Sequence, residues 1–186
     1  LESLTYNAGM TGERVGNWVL GDEVGRGPVG VVYKATAADH PGRTAAVKVL
    51  THPAAATADF LAAFPAEMLP LHRLDHPNVA RFYDAGVQNG AAWFAAEFAD
   101  GVDLATYLKT RTRRPDEPGL SWAEKVLGVA VQAARALKHG HHRSVLHRGL
   151  KPANLIVAAD GTVKLTDFGG GKLIPASPLA APPDPL

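Results

Sequence analysis

The residues of this chain with the most chemical potential fall in three groups. Gly25-Arg26-Gly27-Pro28-Val29-Gly30, with Val32 two residues on, spaces its glycines as G-x-G-x-x-G-x-V. Glycine lets a backbone approach phosphate groups closely and turn tightly. Lys48, in Ala46-Val47-Lys48, is the one charge in an otherwise apolar run from Thr44 to Leu50. A lysine there is expensive to bury unless paired; the alternative is an edge strand with a solvated lysine. The third group is His147-Arg148-Gly149-Leu150-Lys151-Pro152-Ala153-Asn154, followed by Asp167-Phe168-Gly169. It brings cations and two oxygen-bearing side chains close together in the chain.

The elements around these residues are legible. β-formers from Trp18 to Thr36 flank the glycine turn on both sides, which favours strand-turn-strand over a dinucleotide motif, where a helix follows. Residues 79–86 and 91–98 read as strands joined at Asn89-Gly90. Residues 57–74 carry a helical apolar pattern, but Pro65 and Pro70 each remove a donor, at about 3 kcal/mol in a helix interior. That predicts either a short helix starting near Pro65 or a kinked one. Asp103 caps a short helix ending near Lys109. Ser121-Trp122-Ala123-Glu124 has the form of a capping box for a helix reaching His142, with Val126, Ala130, Ala133 and Leu137 on one face. A second hairpin crosses Asp160-Gly161.

This arrangement resembles the eukaryotic-type (Hanks-type) serine/threonine protein kinases, as in their bacterial members. The pattern there is H-R-D-L-x-x-x-N followed by D-F-G, preceded by a glycine loop and a strand lysine. The resemblance covers residues 16–172 and implies an α+β, protein-kinase-like fold. A five-stranded antiparallel N-lobe with one helix would precede an incomplete helical C-lobe, with ATP in the cleft. It implies an N-terminal arm over residues 1–16, the N-lobe over 17–99, the partial C-lobe over 100–172 and a Pro-rich tail over 173–186.

By the same resemblance, Gly25, Gly27, Gly30 and Val32 cover the nucleotide, with Ala46 beside Lys48. Lys48 faces the α/β-phosphates and pairs with Glu67; a solvated surface glutamate is the alternative. Ala96 is the gatekeeper, and Glu97 to Ala99 offer backbone groups to adenine. Lys151 faces the γ-phosphate. Asn154 and Asp167 hold Mg²⁺, an ion that takes hard oxygen ligands and often one or two carboxylates. His147 is a structural residue of the loop. The clustered His139, His141 and His142 invite a metal reading, but adjacent helix residues diverge and no cysteine or carboxylate cluster joins them; helix-end histidines suited to the macrodipole are the expectation.

Two departures set this chain apart. Gly149 stands where the family has the aspartate that accepts the substrate hydroxyl's proton, and a positioned general base contributes about 10²–10⁴-fold. After Gly169 there is no A-P-E and no further helical pattern, which predicts an exposed apolar face on the C-terminal half, covered by a protein partner or by self-association. The expected function is a truncated pseudokinase that binds ATP and Mg²⁺ or acts as a scaffold. The alternatives are a serine/threonine kinase of reduced activity, a fragment of a longer kinase, or a non-catalytic interaction protein.

Bulk properties fit a globular chain. Of 186 residues, 46% are apolar and 20% charged, and the formal net charge of +1 gives no general attraction to nucleic acid or anionic membranes. Cysteine is absent, which excludes a disulfide framework and thiolate chemistry. No apolar run approaches the roughly 18 residues of a spanning helix, and no signal peptide is visible, although the chain starts at Leu1 rather than Met. A cytoplasmic location is the expectation.

Overall fold

The computed structural model describes residues 9–110 and 119–169. The first half is an antiparallel sheet of six strands in the order β1-β2-β3-β4-β6-β5. The strands are β1 (Arg14–Val15), β2 (Trp18–Arg26), β3 (Gly30–Ala37), β4 (Thr44–Leu50), β5 (Phe82–Gln88) and β6 (Ala91–Glu97). The five expected strands are present. The sixth comes from the N-terminal stretch read as an arm: Arg14 and Val15 pair with β2, and Met10 and Val15 are buried. These two apolar side chains complete the outer sheet face, a role that so short a segment has no periodicity to announce.

Alternation along the strands builds two cores. Trp18, Leu20, Val31, Tyr33, Val47, Val49, Trp93 and Ala95 pack on one face. Ala92 and Phe94 point to the other, where they join Phe64, Met68, Val79, Leu155, Val163, Leu165 and Phe168 in a core that runs on into the second half.

Helix α1 (Ala58–Met68) continues through Pro65 and is followed at once by a 3₁₀ segment, Leu69–Arg73, with Pro70 in its first turn. The helix therefore neither starts at Pro65 nor ends before it. Thr57 caps it, its hydroxyl accepting the Phe60 N–H at 3.4 Å. Phe64 and Met68 are almost wholly buried, and each such side chain is worth about 1.5–3 kcal/mol. That burial offsets the proline. Pro70 falls where a 3₁₀ turn needs no donor.

The second half holds β7 (Val102–Asp103), α2 (Leu104–Thr110), α3 (Gly119–His141), β8 (Leu155–Val157) and β9 (Val163–Leu165). Strands β7, β8 and β9 form a small sheet in that order. Asp103 caps α2 as expected, accepting the Thr106 N–H at 3.0 Å and its hydroxyl at 2.6 Å. Helix α3 begins two residues before Ser121, so Ser121 lies within the helix and not at its cap. Its buried face is also rotated from the expected one. Val129, Ala133 and Ala136 are buried, whereas Ala130 is exposed. On the opposite side Leu127 is 63% and Val131 40% exposed. With the exposed Ala130 and Ala134 they form an apolar stripe.

The two halves are tied by backbone and amide bonds. Val79 bridges Leu165, with Ala80 N–H to the Leu165 carbonyl and Leu165 N–H to the Asn78 carbonyl, each at 2.9 Å. The buried Asn78 donates to Gln132 Oε1 on α3 at 2.8 Å and to the Val163 carbonyl at 2.9 Å. Among the described residues no helix is long and apolar enough to cross a membrane.

Candidate active site

Sheet register assembles the first part of the site. In antiparallel strands directly opposed residues project to the same face. Gly25 opposes Val32, Val32 opposes Lys48, Lys48 opposes Phe94, and Ala46 opposes Ala96. The residues expected to cover a nucleotide therefore share one sheet face, the one that looks toward the second half. The glycine loop closes as a tight hairpin, Gly27 N–H to the Gly30 carbonyl at 3.0 Å and Gly30 N–H to the Gly27 carbonyl at 3.3 Å.

The three glycines are not equivalent. A Cβ on Gly30 would lie 2.2 Å from the Val49 carbonyl oxygen, whereas one on Gly27 would meet no protein atom and one on Gly25 only Val32 Cβ at 3.9 Å. Gly30 is required by strand packing. Gly25 and Gly27 leave space that the protein itself does not use, as a phosphate cradle requires. Gly30→Ala is expected to cost about 1–3 kcal/mol or more through overpacking, while Gly27→Ala leaves stability nearly unchanged. Urea denaturation of the two variants checks this, and equal losses would contradict it.

The catalytic-type loop is held from both sides. His147, buried, lies 2.8 Å through Nε2 from the Thr166 carbonyl, and its Nδ1 accepts the Gly149 N–H at 3.2 Å. Asn154, also buried, donates from Nδ2 to the Gly149 carbonyl at 2.8 Å. The backbone at 149 is thus fixed by two side chains while carrying none of its own. Gly149 is not among the positive-φ glycines, so the backbone there has no need of glycine. The strain lies beside it: Arg148 at φ 59° and Asp167 at φ 60° are both non-glycine residues in the left-handed region. Such residues cost of order 1 kcal/mol each and cluster at functional sites.

Asn154 and Asp167 come together because Thr166 N–H donates to the Asn154 carbonyl at 2.9 Å. With its Nδ2 engaged, Asn154 keeps Oδ1 as an oxygen donor. One carboxylate and one amide oxygen, completed by phosphate oxygens, suit a Mg²⁺ ion. Among the described residues no group of three or more His, Cys, Asp or Glu forms a metal site, and His139, His141 and His142 make none. Lys151 is exposed at the head of the 3₁₀ turn Pro152–Asn154. Phe168 is buried, its ring 4.7 Å from that of His147.

Lys48 is paired, and its partner is Asp167. Nζ lies 2.5 Å from Oδ2, with the two side chains 13% and 26% exposed. This is where the structure departs from the expected Lys48–Glu67 pair. Glu67 is exposed at the end of α1, where it lines a small pocket with Pro70, Leu71, Arg148 and Gly169. Lys48 on β4 reaches the loop after β9 instead. The Glu97 side chain is likewise committed, pairing with Lys164 at 2.8 Å and accepting the Arg81 N–H at 3.2 Å, and its own N–H donates to the Arg81 carbonyl at 2.7 Å. The Lys48–Asp167 and Glu97–Lys164 pairs and the Asn78–Gln132 clasp had no local signal in the sequence; each joins residues more than fifty apart.

Three histidines titrate below the usual histidine range. Burial lowers His147 against the opposing effect of its Thr166 bond and Asp167. Desolvation lowers His76 and His139, helped by Arg143 in both cases. The unfolded chain then binds more protons than the folded one between the lowered values and about 6.5, so stability falls as pH drops through that window. The melting temperature is expected to be lower at pH 5 than at pH 7.5, with a shallower slope in the His76→Gln, His139→Gln variant. An unmodified chain with no change over that range would refute it.

A glycine hairpin, a paired strand lysine, and an asparagine beside the aspartate of an Asp-Phe-Gly turn define a protein-kinase-type cleft. Residues 18–181 match the protein kinase domain family, and the chain belongs to it. It is 35% identical over 169 residues to the serine/threonine-protein kinase PkaA of Streptomyces coelicolor, covering 84% of this chain and 30% of that protein. It is 31% identical over 172 residues to a probable serine/threonine-protein kinase of Clostridium perfringens, covering 92% of this chain and 24% of that protein. Among solved structures, the kinase domain of Mycobacterium tuberculosis PknI superposes with a TM-score of 0.70 at 30% identity, covering 87% of this chain and 63% of that one. The chain thus spans about a quarter to a third of the length of these curated relatives. These relatives bear out the bacterial Hanks-type resemblance and the α+β kinase fold.

Proposed function

We propose that this chain is a nucleotide-binding module of the protein kinase fold in which phosphoryl transfer is impaired, a pseudokinase in function. One observation carries the reading: Gly149 sits in a loop whose backbone is held by His147 and Asn154, yet it presents no carboxylate. Residues 147–154 contain no other acid that could take over. Lys48, Asn154 and Asp167 remain to engage ATP and Mg²⁺, with Gly25 and Gly27 over the phosphates, Lys151 toward the γ-phosphate, and Val32, Ala46, Glu97 and Ala99 around the base. Phosphoryl transfer relies on positioning and electrostatics, so slow transfer is compatible with the reading and efficient turnover is not.

The test is a thermal-shift titration with ATP, with and without Mg²⁺, beside a phosphotransfer assay on a generic protein substrate. Stabilisation by ATP with transfer near background supports the proposal. Transfer at ordinary kinase rates that Asp167→Ala abolishes would overturn it in favour of the second reading, a working serine/threonine kinase. The retained lysine, asparagine and aspartate favour that second reading, and both allow the chain to be part of a longer protein. The Leu127–Val131 stripe is the surface on which a protein partner or second copy would act.

A further inference from the structure

The β5 edge of the six-stranded sheet carries a second polar cleft. It is open, about 500 Å³, and lined by Arg43, His72, Arg81, Phe82 and Tyr83. Three features show how it is built. Strand β5 is the edge strand, and its register with β6 slips between Phe82 and Asp84, so Tyr83 sits at a bulge. A bulge re-aims a side chain. Here Phe82 enters the inner core while Tyr83 stacks on Trp18 of the outer face, ring centroids 5.6 Å apart. The Arg43 guanidinium then lies over this pair, 4.3 Å from the Tyr83 ring and 5.5 Å from Trp18. On the other wall the His72 ring stands edge-on to Phe82 at 4.7 Å.

The residues that line this cleft include two arginines and no acid. Among the described residues neither the Arg43 nor the Arg81 guanidinium forms an ion pair. The nearby acids make their closest contacts outside it. Asp39 acts on Arg43 electrostatically and accepts from Asn17 Nδ2 at 2.7 Å. Glu97, at the Arg81 N–H, is paired with Lys164. Arg43 also packs against two aromatic rings, which restricts the positions its guanidinium can take. Two guanidinium groups on one polar cleft, one of them packed against aromatic rings, are a donor set suited to oxyanions.

We propose that this cleft binds an oxyanion, a phosphoryl or carboxylate group, independently of the nucleotide site. The group could arrive on a peptide side chain or as a small free anion, and the chemistry is shared.

The test titrates the full chain with inorganic phosphate, with a phosphoserine peptide and with its unphosphorylated form, following the side-chain Nε–H signals of every arginine by NMR. The expected result is saturable binding of phosphate or phosphopeptide that moves the Arg43 and Arg81 signals and weakens with salt. Affinity should drop about tenfold or more in Arg43→Gln, Arg81→Gln and survive saturating ATP. The tighter of the two probes identifies the source. No saturable binding by either, or equal affinity in the double variant, overturns the proposal. If the double variant does not fold, the unmodified chain decides: movement confined to other arginines, such as Arg26 or Arg135, overturns it equally.

Discussion

Replacing Gly149 with aspartate is expected to raise phosphoryl transfer by about 10²–10⁴-fold, the usual contribution of a positioned general base. In barrier height this is roughly 3–5 kcal/mol. The backbone of the loop is already fixed at this position. Its N–H is held by His147 and its carbonyl by Asn154, and its φ is not in the left-handed region. A new carboxylate would therefore enter a backbone already set. The measurement is transfer from labelled ATP to a generic protein substrate, made in the longest natural form of the protein so that the substrate-binding surface is present. Equal rates for the glycine and aspartate forms would mean that Gly149 is not what limits this domain. A tenfold or smaller gain would point to a second deficiency, with the geometry around Glu67 the first place to look.

Loss of either member of the Lys48–Asp167 pair is expected to abolish stabilisation by ATP·Mg²⁺. A ligand at about one hundred times its Kd stabilises the folded state by roughly 2.7 kcal/mol. For a chain of this size that is a rise in Tm of about 5–10 °C, which should vanish in Lys48→Met and in Asp167→Ala. The two variants should also lose stability without nucleotide, because each strands a partly buried charge. Breaking a fully buried pair costs about 3–5 kcal/mol, and the partial exposure of these side chains brings the expectation to about 1–3 kcal/mol. The double variant Lys48→Met, Asp167→Ala should recover part of that loss. ATP stabilisation that persists undiminished in both single variants would place the nucleotide elsewhere. Persistence in Asp167→Ala alone would indicate binding that does not depend on the metal.

Much of this was legible in the linear chain. The glycine spacing, the lysine in an apolar strand, and the run from His147 to Asp167 identified the fold and the cleft, because each motif is local. A strand, a tight hairpin and a short loop are shaped by neighbours a few residues away. Where the reading failed, a distant contact had outweighed a local preference. At Pro65 the reading left a short helix and a kinked one open, and α1 passes through the proline because Phe64 and Met68 are buried on either side. Ser121 and Glu124 suggest a cap, yet α3 begins earlier. The face of α3 was misplaced at Ala130 because alanine carries little hydrophobic signal, and packing against β9 and Phe168 chose Ala133 and Ala136.

The sequence by itself determined the family, the order of the elements and the absence of an acid at position 149, since these depend on residue identity and spacing alone. Only the tertiary structure decided which charges meet. Lys48 lies 119 residues from Asp167 and 19 from Glu67, and nothing in the spacing favours the longer reach. Residue spacing does not encode the direction of a side chain leaving a strand or a helix end, and ion pairing depends on that direction over a few ångströms. The same holds for Arg43 on Tyr83: two residues forty apart meet because a bulge in an edge strand turns one of them outward.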